Sequence, residues 1–353
     1  MEDDLIYWLW LSTLNNIGPV SQNFLLNYFG TPYNVYKASK DELITIKGIG
    51  NNKADDIYNN KSLKNAELII KSAKRSNIGI FTMKDSRYPV EYTKIKKMPI
   101  VLYYRGEIKN LNNGTGIIGT RKCNQYGKKV TEDIAGYLAD NNVTVISGMS
   151  KGIEGYAHIA TVNAGGYTVA FLGSGVEFYY PKENYKLYKK IIETGAVVSE
   201  YPPGVKVYPS YLIIRNYLMM GFSRKVLLVQ SPMNSASIKS AEIAKEMGKE
   251  IYIVPNNIYA KESEGSNFLI SQGFEILLNR EQLLGLEKND ALNKSQCFYK
   301  ESIQYKIIEL LRQNHLSIDQ LKMHFPDQSI ASQIFELEMR KVITNIGGKM
   351  RLK

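Results

Sequence analysis

Between Gly116 and Leu278 the chain repeats one unit: a short β-branched run, a turn rich in small residues, then a stretch with helical spacing. The unit is plain in Gly116-Ile117-Ile118-Gly119-Thr120-Arg121, in Val143–Glu154 and in Tyr167–Gly175, and further strand-like runs follow at Ala196–Glu200, Val226–Gln230 and Ile251–Val254. Strands alternating with helices predict an α/β fold on a mostly parallel sheet. Such sheets bind ligands beyond the carboxyl ends of their strands, where helix N-termini offer unpaired N–H groups to anions. Gly119, Gly148, Gly152, Gly173 and Gly175 fall at those ends, with Thr120 and Ser147 beside them and Arg121 and Lys151 as cations. Any one of these glycines taken singly reads better as an ordinary strand-to-helix turn, and it is the set, interleaved with cations, that points to a phosphate. Neither G-x-G-x-x-G with its acidic residue nor G-x-x-x-x-G-K-[ST] is present, so NAD and ATP are not the first ligands to expect.

Helices are expected at Gln125–Leu138, Lys151–Ala164 and Ser266–Gly273. The second carries His158, to which no chemistry is assigned, because no Ser-His-Asp order surrounds it. Phe178–Asn184 combines aromatic residues with Lys182, as single-strand binders do, or else its tyrosines simply cover the sheet end. Tyr208–Gly221 is mostly apolar with Arg215 inside it. A buried cation is costly unless paired, so Arg215 is expected either to pair with an acid such as Glu200 or to face an anion cleft. Asn234–Ala241, with Ser235 and Ser237, puts hydroxyls and free N–H groups at a helix start, which again suits an anion.

The flanks read differently. Residues 1–65 are short helices with glycine turns, one of which, Lys47-Gly48-Ile49-Gly50, resembles a helix-hairpin-helix turn able to hold a nucleic-acid phosphate or to serve packing alone. Residues 66–279 hold the repeated unit, with Met98–Tyr104 expected as the first strand of its sheet, and residues 280–299 read as a linker. Residues 300–353 show helices at Tyr305–Arg312, from Ser317 and at Ser329–Arg340, then two strands around Gly347-Gly348. That is a winged-helix layout. Its third helix carries the acids of Phe335-Glu336-Leu337-Glu338, which argues against tight duplex groove binding and leaves a protein contact as no weaker an alternative.

Charge and cysteine usage narrow the partners. With 45 Lys plus Arg against 34 Asp plus Glu the net charge is +11, spread along the chain, which favours a polyanionic partner. Two distant cysteines, Cys123 and Cys297, and three histidines form no spaced cluster, so no disulfide framework, metal site or cofactor is expected. No apolar run reaches membrane-spanning length, and the expectation is a cytoplasmic protein with no membrane partner.

These motifs, taken together and in order, resemble the DNA-processing protein A family (DprA, also called Smf). The resemblance rests on Gly119-Thr120-Arg121, Ser147–Glu154 with Ala157-His158, Gly173-Ser174-Gly175 with Tyr180-Pro181, Ser199–Gly204, Arg215-Asn216 and Gly265–Ile270. It implies an extended Rossmann-like core flanked by an N-terminal helical domain of the helix-hairpin-helix or SAM-like kind and by a C-terminal winged helix. It further implies a homodimer that binds single-stranded DNA, protects incoming strands and loads the RecA recombinase in natural transformation. By that analogy Arg121, Lys151, Lys182, Arg215 and Asn216 belong to the DNA site, with Gly119, Thr120, Ser147, Gly148, Gly152, Gly173, Gly175, Ser235 and Ser237. The chain departs from the family pattern at Glu154, at Tyr217 and in the Asn234–Ala241 loop, changes expected to weaken DNA binding or to reshape the pocket.

Three functions are compatible with these residues. The leading one is a non-enzymatic single-strand binder with affinity that falls steeply with salt. The second is a nucleotide-binding or nucleotide-hydrolysing enzyme of the lysine-decarboxylase-like Rossmann superfamily. It needs a catalytic acid, for which Glu154 and Glu200 are candidates, although both read more simply as partners of Lys151 and Arg215. The third is a duplex-binding regulator acting through residues 300–353.

Overall fold

The structure is a computed structural model and describes residues 2–88, 97–109, 111–285, 303–325, 330–339 and 343–352. It divides into two compact units, Met1–Arg280 and Glu281–Lys353.

The first unit opens with six helices among the described residues: α1 (Glu2–Ser12), α2 (Pro19–Phe29), α3 (Pro32–Lys37), α4 (Lys40–Ile44), α5 (Asn51–Asn59) and α6 (Lys64–Arg75). The helix starts after Gly18 and Gly50 have no side-chain cap, while the preceding Ile17 and Ile49 are buried. Gln22 pins the first of these turns, donating from Nε2 to Ile17 O at 2.7 Å and to Leu11 O at 3.2 Å. These helices pack on the sheet region. Trp8, Leu11, Leu25 and Ile57 belong to one apolar cluster with Ile100, Tyr103 and Val197 of the sheet region. An apolar face that large is buried only by packing on the sheet.

Nine strands form the central sheet: β1 (Gly79–Thr82), β2 (Val101–Gly106), β3 (Gly114–Ile118), β4 (Thr144–Ser147), β5 (Thr168–Phe171), β6 (Ala196–Ser199), β7 (Lys225–Leu228), β8 (Glu250–Ile253) and β9 (Glu275–Ile276). Their order is β1-β2-β6-β5-β4-β3-β7-β8-β9. From β6 to β9 all neighbours are parallel. The run Met98–Tyr104, expected to begin the sheet, supplies β2, but it pairs antiparallel with β6 beyond the parallel block. Every residue of β3 to β7 is buried. Burial on both faces is why these strands read as continuous small and β-branched runs and not as an alternation.

Helices follow the strands in turn: α7 (Gln125–Asp140), α8 (Ile153–Asn163), α9 (Tyr185–Thr194), α10 (Pro209–Phe222), α11 (Ala236–Glu246) and α12 (Glu264–Ser271). The chain steps outward from β3 through β4 and β5 to β6. It then returns along α10 to place β7 on the other flank of β3. That return explains the apolar composition of α10, whose Leu218, Met219, Met220 and Phe222 are buried in the sheet cluster. The reversal makes the β3/β7 boundary the topological switch point, where the carboxyl ends of the strands open a crevice.

The second unit contains α13 (Ile303–Gln313), β10 (Leu316–Ser317), α14 (Ile318–His324), α15 (Ala331–Met339), β11 (Ile343–Ile346) and β12 (Lys349–Leu352). Its antiparallel sheet runs β10-β12-β11, and its core comprises Ile307, Leu311, Leu321, Ile334, Leu337, Ile343 and Met350. Gly347 and Gly348, at φ of +62° and +82°, make the tight turn between β11 and β12. Most of the expected linker, from residue 286 onward, lies outside the described residues.

Candidate functional site

At the β3/β7 switch point lies a cleft of about 940 Å3. The loop after β3 forms one wall with Gly119, Thr120, Arg121 and Lys122, and the start of α11 adds Ser235, Ala236, Ser237 and Ser240. Lys261 and Glu262 close one end, and Tyr208, Pro209, Leu212 and Ile213 make an apolar wall opposite. Arg215 and Asn216 of α10 reach it as well, with Ser150 and Glu154 of the β4–α8 turn.

The electrostatics are one-sided. Arg121, Lys122 and Lys261 are exposed, and among the described residues none of the three has an ion-pair partner. The acids that line the cleft are both engaged. Glu154 Oε2 accepts from the Ser150 N–H at 3.0 Å and lies 3.5 Å from Arg215 Nη2, while Glu262 Oε1 accepts from Asn124 Nδ2 at 2.8 Å. Three free cations facing serine hydroxyls and a helix start form a site for an anion.

Arg215 is only 3 % exposed. Its Nη1 donates to Gly148 O and, at 3.0 Å, to Phe171 O, while Nη2 lies 3.4 Å from Ser150 Oγ. Burial pushes its pKa down, the Glu154 carboxylate opposes that shift, and the nearby Arg121 charge adds to it. Its Nε and the Oδ1 of Asn216 are buried without a hydrogen-bond partner. The acid that pairs with Arg215 is thus Glu154 and not Glu200, because the helical turn after Lys151 brings Glu154 beneath the guanidinium. Lys151 pairs with Glu183 at 2.8 Å on the exposed surface, so neither of the expected pairings forms. Glu200 is pushed up to about 7 by burial, and among the described residues its Oε1 has no hydrogen-bond partner.

The sequence-predicted residues divide. Gly119, Thr120, Arg121, Arg215, Asn216, Ser235 and Ser237 line the cleft; Ser147, Gly148, Lys151, Gly152, Gly173, Gly175 and Lys182 do not. Ser147 is fully buried and donates to Ile117 O at 2.6 Å, tying β4 to β3. Gly148 has no room for a Cβ because the Arg215 guanidinium occupies that space. Gly152, at φ of +76°, has its back against the carbonyls of Thr120 and Arg121. Gly173 and Gly175 sit against the α10 backbone and the Glu177 carboxylate. These four glycines serve close approach of the protein to itself, which a spacing argument cannot separate from close approach to a ligand. Ser235 is already committed as the cap of α11, accepting from Ile238 N at 3.3 Å. His158, given no chemistry from the sequence, is fully buried. Thr168 Oγ1 donates to Val145 O at 2.8 Å and so accepts from His158 Nδ1 at 2.7 Å. Burial pulls this imidazole down to about 3.

Lys122, Tyr208, Ile213, Ser240 and Lys261 line the cleft without having been singled out. Lys122 could have been found, since it adjoins Arg121 in the same turn. Lys261 comes from a segment some 140 residues away, and only the β7–β8 pairing brings it there. Among the described residues no group of His, Cys, Asp and Glu could hold a metal ion, and no helix is long and apolar enough to cross a membrane.

Residues 79–287 match the family model described as DNA recombination-mediator protein A. The chain is 31% identical over 283 residues to Protein Smf of Synechocystis sp., covering 79% of this chain and 71% of that one. It is similar to the X-ray structure of DNA processing protein A from Streptococcus pneumoniae, with a TM-score of 0.67 and 27% identity over 79% of this chain and 96% of that one. It is also similar to DNA processing protein A from Helicobacter pylori, solved for its single-stranded DNA binding mode, with a TM-score of 0.53 and 27% identity over 60% of this chain and 96% of that one.

Proposed function

The chain belongs to the DNA recombination-mediator protein A family, and from that premise we propose that its β3/β7 cleft binds single-stranded DNA. The observation that carries this is the set of three cations, Arg121, Lys122 and Lys261, which have no ion-pair partner among the described residues and which line, with the start of α11, one cleft whose acids are engaged. Phosphates go to the cations and to the α11 N–H groups, and bases to the apolar wall of Tyr208, Leu212 and Ile213. Duplex DNA keeps its bases stacked away from such a wall, so the single strand is favoured.

The protein acts as a binder and not as a catalyst. Glu154 holds Arg215 and Glu262 holds Asn124, so among the described residues each acid lining the cleft has a structural partner that accounts for it. The wider role is protection of incoming strands and loading of RecA recombinase in natural transformation, by a cytoplasmic homodimer. The six N-terminal helices serve as a helix-hairpin-helix or SAM-like module. The C-terminal unit serves as a winged helix for protein contact, since Ala331–Met339 contains no Lys or Arg.

The test is fluorescence anisotropy with single-stranded and duplex oligonucleotides of one sequence, titrated with salt, for wild type and Arg121→Ala. Single-strand preference, and a loss in the variant of about tenfold or more at low salt, are expected, with a log K against log salt slope smaller by about 0.7 for each phosphate contact removed. Equal affinity of the two proteins would refute the site.

A further inference from the structure

Lys182 is exposed but lies outside the cleft, and what surrounds it forms a surface of its own. Tyr180 lines the cleft and is 46 % exposed. A single 3-10 turn, Lys182–Asn184, leads from it into α9. That turn is tied to the cleft's β4–α8 loop twice: Asn184 Nδ2 donates to Met149 O at 2.7 Å, and Glu183 pairs with Lys151. From the turn onward, Lys182, Tyr185, Lys186 and Lys189 are all exposed and recur at three and four residues, the spacing that puts side chains on one helical face.

Two features separate this face from an ordinary solvated one. Tyr185, 41 % exposed, has Tyr179 packed beside it at 4.8 Å between ring centroids and Lys189 Nζ 4.8 Å from its ring. The acid within the stretch, Glu183, is occupied by Lys151, and the remaining acid of the helix, Glu193, lies one turn past Lys189, whose charge it favours. A supported aromatic ring flanked by cations is what a single-strand surface needs: a base stacks on the ring and phosphates lie against the lysines.

We propose that a single strand held in the cleft leaves it over Tyr180 and continues along α9, with a base on Tyr185 and phosphates on Lys182, Lys186 and Lys189. This rests on the cleft being the single-strand site, and it assigns α9 as the second part of the footprint. The strip demands an unstacked base, so it selects single strands by the same physics as the cleft.

The experiment compares oligodeoxythymidines of about 6 and about 20 nucleotides on the full chain, the shorter one sized for the cleft alone. Expected for Lys182→Gln/Lys186→Gln/Lys189→Gln is a salt slope on the long oligonucleotide smaller by about 2, from three contacts at about 0.7 each. Tyr185→Ala is expected to weaken the long oligonucleotide by roughly 5-fold to 100-fold. Both variants keep wild-type affinity for the short one and the wild-type melting temperature. Wild-type behaviour of both variants on the long oligonucleotide, while Arg121→Ala loses binding, overturns the α9 path and leaves the cleft standing. Equal losses on short and long oligonucleotides also overturn it. Failure of the wild type to bind either oligonucleotide overturns both.

Discussion

Replacing Arg215 by Met is expected to cost about 3–5 kcal/mol of stability, the range found when one member of a buried ion pair is removed. The structure says where that figure arises. The guanidinium is 3 % exposed and supplies donors to Gly148 O and Phe171 O. It also lies 3.5 Å from Glu154 Oε2. Met fills a similar volume without a charge, so the loss of packing is small and the loss of partners dominates. Two carbonyls lose a donor, and Glu154 is left as a buried carboxylate with the Ser150 N–H as its remaining partner. For a compact unit of this size the melting temperature falls by about 2–4 °C per kcal/mol, hence roughly 6–20 °C. Urea unfolding followed by circular dichroism measures the change. The double variant Arg215→Met/Glu154→Gln separates the causes, because Gln removes the stranded charge and still accepts from Ser150 N. It is expected to recover about 1–2 kcal/mol of the loss. A cost below about 1 kcal/mol for Arg215→Met, or a double variant no more stable than the single one, would refute the assignment of Glu154 as its charge partner.

Glu200 gives a pH dependence of opposite sense to that of a salt-bridged acid. Burial raises it to about 7, so the folded state favours the protonated form. Stability is full below the unfolded carboxyl value near 4.5 and is lost as pH rises from there to about 7, by up to roughly 3 kcal/mol. Glu200→Gln is expected to abolish that loss and to be the more stable protein at pH 8; a variant with the wild-type pH profile of melting temperature sinks the idea. Gly152→Ala combines a φ of +76° with a Cβ driven into the Thr120 and Arg121 carbonyls, and is expected to lower stability by about 2 kcal/mol or more. Lys151→Ala, by contrast, breaks an exposed pair with Glu183, and its unfolding free energy from urea titration is expected to stay within about 0.5 kcal/mol of wild type.

Much of the fold was legible because parallel strands buried on both faces announce themselves locally. Ile117-Ile118, Val145-Ile146 and Val197-Val198 sit in β3, β4 and β6 where their composition places them. The glycine turns that follow are set by backbone sterics, which neighbouring residues decide. Strand order is different. That β7 lies beside β3, creating the cleft, follows from the path of α10 across the sheet, and no local pattern encodes it. For the same reason the cations sorted themselves only in three dimensions. Arg121, Lys151, Lys182 and Arg215 all read as candidate phosphate contacts in the sequence, the first three in loops after strands and Arg215 inside an apolar run. In the structure Arg121 is a free cation at the cleft, Lys151 is held by Glu183, Lys182 lies outside, and Arg215 is buried on Glu154. Residue type and spacing thus determined that an α/β core with glycine loops and cations at its strand ends would form. Which of those charges are left without an ion-pair partner among the described residues depended on distances between segments far apart in the chain, and only tertiary packing sets those distances.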